Sequence, residues 1–360
     1  MKRILIASYV LALAATTATF QPLATQQKST QTSSQKQLFP IVQNDKTGFI
    51  DREGNIVIAP QFTGWMYGIS FSEGLAPVWI DDHWSYIDTT GRVVIHAPFD
   101  SAGPFTEGLA SIGVARKRSG KLLDDFQYGY IDRAGNVVIQ PQFEETYGFS
   151  EGLGRVVVNG KWGFINKSGK IVIKPQFRSA YWFSEGFAWV SWEENKSGYI
   201  DHTGKIAGSP DHEYTTWGFV AGMAGVKKGD KWGYISRDWK IVIEPQFDSV
   251  AERFSEGLAA VRLGDKYGYI DRTGKMVIAP SYVSASHFSD GLAKVQINGR
   301  YGYINKSGVV VIEPIFVAAG DFRGGLAAVT TDEGVNQVSC CWKHWDYIDT
   351  GGRYVWRAEK

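Results

Sequence analysis

Residues 161–187 read KWGFINKSGKIVIKPQFRSAYWFSEGF, and the parts of this stretch return along nearly the whole chain. Its aromatic-Ile-Asp/Asn core begins at Phe49, Tyr86, Tyr130, Phe164, Tyr199, Tyr234, Tyr269, Tyr303 and Tyr347. Successive starts lie 37, 44, 34, 35, 35, 35, 34 and 44 residues apart. A period of about 35 residues marks a tandem array, in which each unit is too small to bury its own core and must stack on its neighbours.

Each unit contains three strand-like segments. In the clearest copy the first is 153–158 and ends at Asn159-Gly160, a pair that tolerates the positive φ of a tight hairpin. The second, 161–165, closes at Asn166-Lys-Ser-Gly169, where Asn or Asp can cap the turn and Gly takes the left-handed position. The third, 170–173, is β-branched and bounded by Pro175, which has no N–H for a ladder. Two consecutive tight turns predict an antiparallel three-stranded meander. The spacer that follows has apolar residues three apart (Phe177, Ala180, Phe183), a period that suits one helical turn or an irregular crossing rather than a strand.

Glycine recurs inside the second strand at Gly48, Gly129, Gly163, Gly198, Gly233, Gly268 and Gly302, with Ser85 and Asp346 as exceptions. Glycine weakens a strand unless something must come close, so a neighbouring unit's aromatic is expected against it. Three places break the pattern. The 44-residue spacings come from long loops at 116–127 and 331–344; the fifth unit is degenerate around 206–223; and Trp239 stands where a turn glycine belongs. Trp239→Gly is therefore expected to be neutral or locally stabilising.

Bulk composition narrows the function classes. Lys plus Arg total 38 and Asp plus Glu 37, so no field of one sign points to nucleic acid. The 360 residues contain two cysteines, Cys340 and Cys341, which exclude a disulfide framework. Adjacent cysteines can form a strained ring, pair with another chain, or stay reduced. Residues 1–24 carry Lys2 and Arg3, a short apolar run and then small residues, the pattern of a secretory signal. That run is shorter than the ~20 residues of a membrane helix, so no stable span is expected. Residues 25–37 are rich in Gln, Ser and Thr and read as a flexible tether, and residues 38–356 form the repeat domain.

Taken together, Lys161-Trp162-Gly163, Lys231-Trp232-Gly233, the Tyr-Ile-Asp-x-x-Gly turns and Phe254-Ser-Glu-Gly-Leu258 resemble the bacterial WG-repeat family over about residues 38–356. The resemblance implies an all-β repeat protein, often secreted or envelope-associated. It supplies no catalytic residues. Tyr replaces the eponymous Trp at Tyr128, Tyr267 and Tyr301, so a flat aromatic surface matters more than an indole N–H.

Glu73, Glu107, Glu151, Glu185, Glu256 and Asp290 form a carboxylate series, yet each sits in the same Phe-Ser-Glu-Gly frame and reads as part of a turn. Asp51, Asp88, Asp132, Asp201, Asp271 and Asp349 read the same way, because Asn166, Asn305 and Ser236 replace them without a carboxylate. The six histidines lack metal-site spacing, and no phosphate-loop or nucleophile-elbow motif is present. No catalytic residue, metal or cofactor is expected.

The expected fold is an all-β array of nine three-stranded units, as an open solenoid-like superhelix or, alternatively, a closed propeller. The expected function is an exported, non-catalytic scaffold for protein partners in the periplasm or outside the cell. A glycan- or peptidoglycan-binding module is the alternative, and an enzyme a distant third. Recognition is expected where the chain leaves its own frame: Arg116, Lys117, Arg118 and Lys121 in the first long loop, Trp342, His344 and Trp345 in the second, and Trp239. Both loops join the same pair of strands and should leave the array from one edge.

Overall fold

A computed structural model describes residues 37–63, 69–118, 121–194, 196–208, 213–214, 218–250, 253–333 and 345–358. All belong to the unit Lys36–Lys360. The expected signal and nearly all of the expected tether lie outside the described residues. No helix among those described is long and apolar enough to cross a membrane.

The chain folds into nine small antiparallel sheets, taken in order as blades 1 to 9: residues 39–62, 75–99, 101–143, 145–177, 179–207, 213–247, 249–282, 284–316 and 318–356. Each is a meander of consecutive strands. Nine buried clusters fill the nine junctions, each joining one blade to the next, and the ninth sets Phe39, Ile41 and Ile50 of blade 1 against Leu326, Ala328 and Tyr347 of blade 9. The array is thus a closed nine-bladed β-propeller. The all-β repeat array stands; of its two expected arrangements the closed one is present and the open superhelix is not. An open array would leave the apolar faces of the first and last blades uncovered, whereas here they cover each other.

Seven blades have four strands rather than the expected three, because the spacer is not a helical turn. In blade 5 its residues Ser179–Ala180 pair with Ser191 and Val190, and blades 3 and 4 lengthen this first strand to Ser101–Thr106 and Glu145–Ser150. Among the described residues blades 1 and 2 show three strands each. Blade 9 is complete within its own stretch, so the ring closes by packing and not by a shared blade.

The strand glycine has a different cause from the one expected. A Cβ on Gly163 would lie 2.7 Å from the carbonyl oxygen of Ile173 and from the nitrogen of Pro175, in the same blade's fourth strand. The register slips there, between the Trp162 and Phe164 pairs, because Pro175 cannot continue the ladder and its backbone bulges toward the third strand. The first long insertion is likewise not a loop over most of its length. It extends the hairpin of blade 3, with Leu109–Arg118 paired to Lys121–Asp132 out to Arg118 opposite Lys121. This hairpin joins the second and third strands of blade 3, whereas residues 334–344 of the second insertion, expected to leave from the same edge, lie outside the described residues.

Candidate functional site

The recurring carboxylates hold the blades together. In the turn Ser184-Glu185-Gly186, Glu185 has φ 52° and Gly186 φ 95°, the paired left-handed conformation of a two-residue hairpin turn. A non-glycine residue there is strained, yet its position sends the carboxylate across the junction. Glu185 accepts from the Gly222 N–H of the next blade at 2.8 Å, and Glu73, Glu107, Glu151, Glu256 and Asp290 do the same to Gly108, Gly152, Gly186, Gly291 and Gly325. The neighbouring serine adds a second bond: Ser184 Oγ donates to the Phe219 carbonyl at 2.7 Å, as Ser150 does to Phe183 and Ser289 to Phe322. A cation of the next blade's turn completes some clasps, as Lys167 does on Glu107 at 3.1 Å and Lys306 on Glu256 at 2.8 Å.

The second carboxylate series caps turns as expected. Asp271 accepts from the N–H of Thr273 and of Lys275, and Asn166 does the same for Ser168 and Lys170. The core aromatics also cross the junctions. Tyr303 Oη donates to the Gly320 carbonyl at 2.7 Å while its ring meets Phe322 edge-on at 4.8 Å. At the seam Tyr347 Oη reaches the Pro40 carbonyl at 2.9 Å and its ring meets Phe39.

Where the frame is broken, the ring opens. A groove of about 750 Å³ lies between blades 3 and 4, lined by the two long first strands and by Phe126 and Tyr128 at the root of the extended hairpin. Tyr147 and Glu145 face it from blade 4. Three of its hydroxyls are already engaged: Ser111 shares a short bond with Thr146, and Thr106 accepts from the Phe149 N–H at 2.8 Å. Glu144 clamps the Asn159-Gly160 turn through both carboxylate oxygens. Burial, with Glu145 nearby, raises the pKa of Tyr128 above that of an ordinary phenol. The groove offers aromatic faces, engaged hydroxyls and carboxylates, a surface for binding a chain of polar groups.

Beyond Tyr147 the surface continues to Arg155. Its guanidinium sits 4.4 Å from the Tyr147 ring, 5.7 Å from Trp162 and 5.7 Å from Trp182, and Nη1 donates to the Ala180 carbonyl at 2.7 Å. Tyr147 is 48% exposed and Trp182 39%. None of Arg155, Tyr147 and Trp182 was singled out by the frame-breaking insertions. The signal was present in the alignment of units, since Arg155 occupies the second-strand position opposite the core aromatic that elsewhere holds Pro77, Ser111, Trp189, Gly225, Ala260, Lys294 or Ala328.

The residues expected to meet partners are dispersed. Arg116, Lys117, Arg118 and Lys121 lie on the extended hairpin of blade 3, beyond the groove, while Trp342 and His344 lie outside the described residues. Trp345 packs into the cluster that closes blade 9 on blade 1. Trp239 is packed into the junction of blades 5 and 6, at 5.1 Å from Phe187 and 5.4 Å from Phe219, as part of the apolar core there.

The family described as WG containing repeat matches the chain eight times, over residues 48–82, 84–114, 128–162, 162–196, 198–232, 232–267, 267–301 and 301–333. No curated protein matches the sequence. Among solved structures, one described as the eukaryotic initiation factor is 12% identical, with a TM-score of 0.57 over 89% of this chain and 95% of that one. At that identity the likeness concerns the fold alone. AztD from Citrobacter koseri (12% identity, TM-score 0.42, 88% and 92% of the two chains) and BamB from Moraxella catarrhalis (10%, 0.42, 75% and 96%) are more distant.

Proposed function

Because the chain belongs to the WG-repeat family, whose units account for most of its blades, we propose that it is an exported, non-catalytic propeller scaffold that holds a protein partner in the periplasm or outside the cell. The observation that supports this reading is the groove between blades 3 and 4. Turn carboxylates that could serve chemistry are occupied in joining blades, whereas this groove is enlarged by the extended hairpin and the lengthened first strands, which other blades lack. The charged start, short apolar run and small residues of 1–24 support export.

A photo-crosslinking residue at Tyr128, with Val172 on an exposed fourth strand as control, tests the scaffold reading in cells producing the full chain. One discrete protein adduct from Tyr128 and none from Val172 is expected. Equal labelling at both positions overturns it. Recovery of only full-length protein in a membrane pellet overturns export. A second reading, glycan binding, draws support from the exposed rings of Tyr147 and Trp182, and retention on purified cell-wall material tests it.

A further inference from the structure

Two blades carry a cation at the same position of the second strand, and the ring treats them differently. Lys294 of blade 8 donates to the Ala319 carbonyl of blade 9 at 3.0 Å and pairs with Asp321 at 3.4 Å. Arg155 of blade 4 donates to the equivalent carbonyl, that of Ala180 in blade 5. Two residues on, where blade 9 has Asp321, blade 5 has Trp182. Of the two junctions that carry this cation, one supplies it with a carboxylate and the other with an indole.

Arg155 is consequently a largely desolvated cation with no carboxylate partner among the described residues. Its surroundings are the rings of Tyr147, Trp162, Tyr181 and Trp182, and its Nε is shielded from solvent with no hydrogen-bond acceptor. Burial holds its pKa below the usual arginine value, and only tyrosines contribute in the other direction. Ring faces offset part of the desolvation, but they supply no hydrogen-bond acceptor for the fork of a guanidinium.

We propose that Arg155, Tyr147 and Trp182 form a binding site for a carboxylated sugar, whose carboxylate takes the place that Asp321 fills at the other cation. The inference rests on the glycan-binding reading and adds an acidic group to it. A sugar fits better than an acidic peptide for two reasons. The rings of Tyr147 and Trp182 are exposed flat surfaces, suited to the C–H face of a pyranose. The adjoining groove presents Glu144 and Glu145, which repel a run of acidic side chains but can accept from sugar hydroxyls.

Tryptophan fluorescence and calorimetric titration of the purified chain test this with galacturonate, glucuronate and N-acetylmuramic acid. Each is compared with its methyl ester, and an oligo-glutamate peptide is run in parallel. At least one acid should bind at least tenfold more tightly than its ester. Arg155→Met should abolish the difference, and so should Trp182→Asp, which restores the internal ion pair in a geometry the ring already uses at blade 9. Circular dichroism melts of all three variants check folding, and Tyr147→Ala, which removes a ring face and leaves the guanidinium in place, should weaken acid and ester alike. Binding of ester and acid equally, lost with Tyr147→Ala but not with Arg155→Met, overturns the proposal and leaves glycan binding standing. Failure of all three acids overturns the proposal, and failure of retention on purified cell-wall material in addition overturns the glycan reading. Tighter binding of the peptide, dependent on Arg155, overturns the sugar in favour of a protein ligand.

Discussion

Gly208 and Trp239 exchange the sizes that every comparable pair in the ring keeps. At seven junctions a buried isoleucine of a blade's last strand packs on the turn glycine of the next blade, as Ile139 does on Gly169 and Ile173 on Gly204. At the junction of blades 5 and 6 the residue four after the turn glycine is Gly208, just beyond the strand Ile206–Ala207, and the turn position is Trp239. Trp239 keeps the left-handed backbone of the turn, with φ 65° and its N–H bonded to the Ser236 carbonyl at 3.0 Å. Its indole joins Phe187, Tyr199 and Phe219 in the cluster that elsewhere contains the isoleucine.

Trp239→Gly should therefore destabilise the protein, against the expectation from the turn alone. Glycine relieves about 1 kcal/mol of backbone strain, while losing a partly buried tryptophan costs about 3 kcal/mol. The packing loss wins, and urea unfolding should show a net loss of about 2 kcal/mol. Gly169→Val should be destabilising by more than about 1 kcal/mol for the opposite reason, since a Cβ there lies at φ 82° and 3.2 Å from Ile139. A neutral Trp239→Gly would show that the indole does not fill the junction.

The clasp at Glu185 separates charge from shape. Glu185→Gln keeps an oxygen that can accept from Gly222 and should cost less than about 1 kcal/mol, whereas Glu185→Ala should cost about 1–2 kcal/mol. Ala221 occupies the same turn position in blade 6 with φ 53°, so the backbone alone tolerates alanine. Thermal unfolding of the two variants should rank them in that order. Equal loss for Gln and Ala would mean that the negative charge, not the hydrogen bond, joins the blades.

Acid and alkali should act through different recurring residues. The Thr90, Thr203 and Thr273 hydroxyls hold Asp88, Asp201 and Asp271 below the ordinary carboxylate range. A carboxylate with a lowered folded pKa contributes stability above its unfolded pKa and loses it as pH falls through the folded value. Stability should thus fall below about pH 4, and Asp201→Asn with Asp271→Asn should flatten that decline, since asparagine already serves at Asn166 and Asn305. Burial raises the pKa of Tyr86, Tyr130, Tyr303 and Tyr347. Their contribution is complete below the unfolded value and declines above about pH 10. Chemical denaturation across pH checks both limbs.

Replacing residues 115–126 with Asn-Gly should leave the ring folded, because Val114 opposite Gln127 matches the place where Val158 meets Lys161 before the ordinary two-residue turn. The melting temperature should change by only a few degrees while partner adducts at Tyr128 disappear, since Phe126 leaves the groove. Full crosslinking without the hairpin would put recognition on the blade faces.

Much of this was legible in the repeat. Strand order, turn chemistry and the number of units follow from Asn159-Gly160, Asn166 to Gly169 and the spacing of the core aromatics. Closure was not, because it depends on the angle between stacked sheets, and no single residue encodes that angle. The first strand was hidden for a related reason: two residues such as Ser179–Ala180 are too short to show a period of two. The candidate site was partly visible, in the insertion that leads to Phe126. Arg155 was hidden because its meaning lies in the missing acid opposite it, which appears only when units are compared across a junction.

The six carboxylate clasps all run one way, each blade reaching forward to the turn of the next. A contact with separate giving and receiving surfaces is head-to-tail, and such contacts grow without limit unless the rotation between units brings the last back to the first. The ninth blade has Gly324 where the reaching residue would stand, and a side chain there would strike Gln37. The terminal unit thus carries no hook for the first blade of another molecule. The carboxylate is absent at Ala221 of blade 6 as well as at Gly324, and at the seam the apolar cluster and the Tyr347 bond to Pro40 join the blades in place of a clasp.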